Sequence, residues 1–130
     1  MATWDDVRHA VAALPETFEE PARSWRVGKK PLVWERPLRA VDHEALGPAA
    51  PQGPILGARV PDLEAKEELL SRAPEVYFVT PHFDGYPAIL VRLDVIDVDE
   101  LQDLVVEAWL TQAPKRVARD WLASHPDGPG

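Results

Sequence analysis

Between Glu75 and Trp109 the chain carries a pattern that few folds accommodate: two strand-like runs joined at a turn dipeptide, followed at once by a strongly marked amphipathic helix. Glu75 to Thr80 and Tyr86 to Ile96 read as antiparallel strands. Asp84-Gly85, between Phe83 and Tyr86, is the expected hairpin turn, since glycine supplies the positive φ that tight turns demand. In the second run Ile89, Val91, Leu93 and Val95 alternate with Leu90, Arg92 and Asp94, the period of a strand with one buried face. Asp97 then predicts an N-cap, with Glu100 closing a capping box and Ile96 stapling onto Leu101. Leu101, Leu104, Val105, Ala108 and Trp109 make the helix's apolar stripe. A sheet with one apolar face and a helix with one apolar stripe bury each other, which points to an α+β fold in two layers.

The flanking sequence extends that layout. Thr3 predicts the N-cap of a first helix from Trp4 to about Leu14, with Asp5 and Asp6 in its first turn. Trp4, Val7, Val11 and Leu14 form its stripe, and Pro15 stops it. Thr17 to Glu20 and Ser24 to Val27 read as short extended segments, the latter with Trp25 and Val27 on one face and Arg26 on the other. Gly28-Lys29-Lys30 is the expected turn into a strand from Pro31 to Arg36 that presents Leu32 and Trp34 on one side. One helical turn fits within Arg39 to Leu46. Three prolines and two glycines make Gly47 to Pro54 a surface loop. Ile55 to Val60 reads as a strand. A helix then runs from its N-cap Asp62 to Arg72, with Leu63, Leu69 and Leu70 inward. A last helix opens at Pro114 and ends near Leu122, leaving residues 125–130 as an expected disordered tail.

At 130 residues there is room for one domain, here taken as residues 1–124. The sequence has no cysteine, so disulfides, thiolate metal sites and cysteine nucleophiles are all excluded. No leader pattern opens the chain, and no apolar run approaches the ~20 residues that span a bilayer. Cytoplasm, no membrane role and a monomer are the expectations. The net charge of −8 is unevenly spread. Six of the 14 basic residues (Arg23, Arg26, Lys29, Lys30, Arg36 and Arg39) lie between Ala22 and Ala40 beside one of the 22 acids, Glu35, so the rest of the chain holds eight against 21.

Several motifs in this order resemble the MmcQ/YjbR family. They are Trp25-Arg26-Val27-Gly28-Lys29-Lys30, Gly57-Ala58-Arg59-Val60-Pro61, Thr80-Pro81-His82-Phe83-Asp84-Gly85-Tyr86-Pro87, and Ala108-Trp109-Leu110 with Ala113-Pro114-Lys115-Arg116. The resemblance runs from Trp4 to about Leu122. It implies a frataxin-like (CyaY-like) arrangement, an antiparallel sheet packed on one face by the N-terminal and C-terminal helices. It also implies a DNA-binding role, by analogy with a double wing of strands.

Three groups of side chains are candidates for function. Arg23, Arg26, Lys29, Lys30 and Arg36 on the basic hairpin could neutralise phosphates, with Trp25 or Trp34 stacking on a base unless both are core. Lys115, Arg116 and Arg119 share one side of the last helix and could reinforce them, or simply solvate that helix. His82, Phe83 and Tyr86 form a candidate ligand loop. Asp94, Asp97, Asp99, Glu100 and Asp103 are accounted for by capping and the helix dipole, and they lack calcium-loop spacing. The chain has no phosphate-cradling glycine loop, no GxSxG and no HExxH. The expectation is therefore a binding module without catalytic residues, metal or cofactor. Its ligand is DNA through the basic hairpin or, alternatively, a protein partner or small molecule.

Overall fold

The computed structural model describes residues 1–125, so the expected tail lies, His125 apart, outside the described residues. Six strands form one sheet: β1 (Thr17–Glu19), β2 (Ser24–Val27), β3 (Lys30–Glu35), β4 (Ile55–Arg59), β5 (Tyr77–Phe78) and β6 (Ala88–Arg92). Their order is β1-β2-β3-β4-β6-β5 and every neighbouring pair is antiparallel. The helices are α1 (Trp4–Ala12), α2 (Ala40–Leu46), α3 (Leu63–Arg72), α4 (Val98–Gln112) and α5 (Lys115–Ser124).

Local chemistry sets several boundaries. The Asp6 amide donates to the Thr3 hydroxyl at 3.2 Å and the Thr3 amide to the Asp6 carboxylate at 2.8 Å, a complete capping box for α1. Asp62 caps α3 by accepting from the Ala65 amide at 2.8 Å. Gly28, at φ +59°, takes the first position of the two-residue turn that pairs Val27 with Lys30, the backbone a II′ hairpin requires.

Period 2 places each strand residue on one of two faces. On the first, Trp25, Val27, Val33, Leu56, Ala58, Ile89 and Val91 are buried with Val7 and Val11 of α1 and Leu101, Leu104, Val105, Ala108 and Trp109 of α4. Val117, Ala118 and Trp121 of α5 pack at the margin of that core, with the Trp121 and Trp109 rings 5.6 Å apart. The second face holds a smaller cluster of Ile55, Phe78, Phe83, Ala88 and Leu90, with Trp34, Leu38 and Leu46 against it.

The structure corrects several details. The 84–85 dipeptide is not a two-residue turn. Pro81, which has no amide to donate, opens a 3-10 turn over Pro81–Phe83. This shortens β5 to two residues and leaves a long connection to β6. Gly85, at φ +75°, still supplies a turn inside it. Strand β6 is buried on both faces, through Ala88 and Leu90 as well as Ile89 and Val91. It ends at Arg92, so Val95 is exposed. Leu32 and Trp34 do not share a face: a bulge pairs Trp25 with Val33 and Arg26 with Pro31. Leu32 therefore joins Val33 in the first core while Trp34 turns to the second cluster. Leu63 is exposed, and Lys66 is the buried residue of α3.

Asp97 makes no side-chain cap. Glu100 instead accepts from Arg72 at 3.3 Å and from the Tyr77 hydroxyl, so tertiary partners take the carboxylate the local box would have used. Burial, together with that carboxylate, raises the Tyr77 pKa well above the phenol range.

Candidate functional site

The sheet's second face separates charge in a way the chain as a whole does not. Reading the register across it, the strands present Phe18, Ser24, Arg26, Pro31, Trp34, Ile55, Gly57, Arg59, Ala88, Leu90, Arg92 and Phe78. Arg36 follows β3 on the same side. Its guanidinium lies 5.4 Å from the Phe83 ring centre. No carboxylate stands at a strand position of this face. The strand acids Glu19 and Glu35 fall on the opposite one, in register with Trp25 and Leu56. Among the described residues Arg26, Arg59 and Arg92 make no ion pair, and Arg36 is held by Asp42 at 3.1 Å.

A cleft of about 540 Å³ opens on this face, lined by Ser24, Arg26, Pro31, Trp34, Arg36, His82, Phe83 and Tyr86. Its floor depends on Gly57. A Cβ there would lie 2.4 Å from Trp34 Nε1, so only a glycine lets the indole lie on the β4 backbone. One wall is the loop after β5. Lys66, almost fully buried, donates to the carbonyls of Phe83 at 2.5 Å and Tyr86 at 2.7 Å, pinning that loop from behind. Burial lowers the Lys66 pKa, and Asp84 and Glu67 only partly oppose it. From the side, Arg59 donates to the Tyr86 hydroxyl at 3.2 Å and to the Pro87 carbonyl at 3.1 Å, its guanidinium 5.2 Å from the Tyr86 ring centre. His82 stands edge-on to Phe83 at 4.8 Å.

Arg26 forms part of the opposite wall and donates to the Lys29 carbonyl at 3.3 Å, bracing the hairpin tip. Arg36 is fixed by Asp42, a buried carboxylate that also accepts from the Arg39 amide at 2.9 Å. Burial alone would raise the Asp42 pKa. The Arg39 amide and the Arg36 and Arg39 guanidiniums outweigh it and hold the group ionised below its ordinary value.

The candidate residues are thus regrouped. Arg26 and Arg36 of the hairpin meet His82, Phe83 and Tyr86 of the ligand loop, although they lie far apart in sequence. Lys29 and Lys30 are exposed at the tip and form no ion pair among the described residues. Arg23 leaves the group. It sits at φ +62° in the β1–β2 connection, pairs with Glu35 at 3.0 Å and lies 5.0 Å from the Trp4 ring of α1. Lys115, Arg116 and Arg119 lie on α5, which packs at the first-face core. Arg116 there shares a cavity with Glu16 and Asp120. Trp25 is core, and Trp34 is the tryptophan that reaches the cleft.

Sequence reading did not single out Gly57, Arg59, Lys66 and Arg92, which build or flank this candidate site. For the two arginines a signal was present, since each is the one charged position in an otherwise apolar strand. Lys66 had none, because a lysine on a charged helix reads as solvated. Among the described residues, no three histidines or carboxylates come together as a metal-holding group, and no helix is long and apolar enough to cross a membrane.

Comparison with known proteins adds the lineage. The model of the family described as YjbR matches residues 12–111. The chain is 54% identical over 127 residues to the uncharacterized protein Rv2570 of Mycobacterium tuberculosis, covering 95% of this chain and 98% of that one. The same figures hold for the uncharacterized protein Mb2600 of Mycobacterium bovis. In fold, it is similar to the crystal structure of Deinococcus radiodurans protein DR2400, which carries a DUF419 domain. That match has a TM-score of 0.64 at 20% identity, over 92% of this chain and 88% of that one.

Proposed function

The chain belongs to the YjbR family, and from that premise we propose that it is a nucleic-acid-binding module, not an enzyme, engaging its ligand through the second face of the sheet. The carrying observation is the charge segregation of that face. It presents Arg26, Arg36, Arg59 and Arg92 with no strand carboxylate, on a chain of net charge −8. Lys29 extends the cationic surface at the hairpin tip, whereas Lys30 stands opposite Val27 on the other side of the sheet. An acidic globule repels a phosphate backbone on average, so one positive face both selects the ligand and orients its approach. No carboxylate lines the cleft to orient His82 as a general acid or base. That supports binding over general acid–base chemistry. The proposal includes a cytoplasmic monomer.

Binding to a DNA oligonucleotide, followed by fluorescence anisotropy, should fall by about 0.9 log units per log of salt for each phosphate neutralised. Arg26→Glu/Lys29→Glu should weaken it at least tenfold and flatten the slope by about two phosphates. Absence of binding at low salt, or a slope near zero, overturns the reading. A protein-interaction or small-ligand module is the second reading, favoured by the exposed rings of Phe18 and Tyr86 at the borders of the same face. It predicts no DNA binding, and a ligand or partner lost on Tyr86→Ala.

A further inference from the structure

We infer that the cleft is a seat for one unpaired nucleobase and its phosphate, with Trp34 as the stacking platform and Arg26 as the phosphate contact. The inference rests on the nucleic-acid reading above and narrows it to single-stranded or mononucleotide chemistry.

Three observations converge. The first is the platform. Gly57 leaves room for the Trp34 indole to lie on the β4 backbone, while Trp34 itself remains half-buried and lines the cavity. A flat ring supported from behind and open in front is what base stacking needs, and a paired base would not present its face to it. The second is the surround. Phe83, His82 and Tyr86 crowd one wall, and that loop is held rigid by Lys66 on two carbonyls and by Arg59 on the Tyr86 hydroxyl. A preorganised aromatic wall loses little on ligand binding.

The third is charge. Arg26 and Arg36 line the cleft without a carboxylate. Three other cavities described on this protein each hold at least one: Glu16 and Asp120 in the first; Glu68, Glu100, Asp103 and Glu107 in the second; Glu35 in the third. Arg36 is already engaged by Asp42, which leaves the guanidinium of Arg26, free of any ion pair among the described residues, to meet the phosphate. The volume of about 540 Å³ falls in the range of roughly 300–1,000 Å³ usual for small-molecule sites.

Calorimetry with four probes tests this: deoxyadenosine 5′-monophosphate, deoxyadenosine, a short oligodeoxyadenylate strand, and the same strand in duplex. The strand should bind at least tenfold more tightly than the duplex. Trp34→Leu should weaken strand and mononucleotide about tenfold or more. Arg26→Ala should weaken the mononucleotide several-fold and leave the nucleoside unchanged. It keeps the test open should Trp34→Leu fail to fold. Duplex bound as tightly as strand, with both variants neutral, overturns the base seat and leaves the nucleic-acid reading standing. Mononucleotide bound in a Trp34-dependent way, with no strand binding, supports the seat and overturns the nucleic-acid reading. No binding of any probe overturns both.

Discussion

The two faces of this sheet are built from the same strands under different rules. Toward α1 and α4 the strands present Trp25, Val27, Val33, Leu56, Ala58, Ile89 and Val91, all buried. Toward the cleft they alternate to Ser24, Arg26, Trp34, Gly57, Arg59 and Arg92, beside a smaller buried cluster of Ile55, Phe78, Ala88 and Leu90. Because side chains alternate outside the β3 bulge, the packed face holds the register of the open one, and a slip of one residue would exchange them. The larger core lies on the first face and the proposed ligand site on the second, so substitutions should separate the two.

The hardest blow to that division is at the centre of the packed face. Trp109 is fully buried and its Nε1–H donates to the Pro15 carbonyl at 3.0 Å, joining α4 to the end of α1. Trp109→Ala should cost about 3–5 kcal/mol in denaturant unfolding. A loss below about 1 kcal/mol would mean that stability is not concentrated there.

Gly57→Val tests the open face. A Cβ 2.4 Å from the Trp34 indole must push the ring out, so the expected cost is about 1–3 kcal/mol. Tryptophan emission should shift to the red and the cleft should lose affinity. Unchanged emission would show that Trp34 does not lie on β4.

The smallest effect is at the edge of the packed face, where Glu19 of β1 is bonded to Arg8 of α1 at 2.7 Å. The Arg8 guanidinium and then the Arg23 amide lower the Glu19 pKa from 4.5 to about 2, against the opposing effect of burial. A depressed folded-state value means that the carboxylate contributes stability above pH 4.5 and loses it as pH falls toward about 2. Wild type should therefore lose this increment across that window. Glu19→Gln should already lack it at neutral pH and show a shallower acid slope in chemical denaturation. The contribution is modest, since Arg8 is partly exposed. Identical acid slopes for the two proteins would remove the ion pair from the account.

Much of the packed face was legible in order of sequence. Val7 and Val11 of α1, the Asp62 cap of α3 and the stripe from Leu101 to Trp109 obey local periods and local hydrogen bonds and fold as read, while Leu14 is buried just beyond α1, which ends at Ala12. The open face was legible only in pieces. Arg26 and Arg36, and separately His82, Phe83 and Tyr86, were recognised as candidates, but nothing local says that β3 and the loop after β5 border one cleft. That follows from strand order, in which β4 and β6 come between β3 and β5. The bulge that swings Trp34 away from Leu32 depends on pairing with β2, and the loss of the Asp97 box depends on Arg72 and Tyr77 competing for Glu100. Each is a contact between distant segments that no local window contains.

By itself, then, the sequence determined an α+β chain of the YjbR kind, the helices of its packed layer and the excess of positive charge near the hairpin, because period, capping and composition are local properties. The tertiary structure decided where the charges stand. It carried Arg23 to Glu35 and Trp4, set Lys115, Arg116 and Arg119 on the helix that packs at the first-face core, buried Lys66 behind the cleft, and aligned Arg26, Arg59 and Arg92 on one face. A charge acts through its neighbours and its exposure, and both are set by the pairing of distant strands.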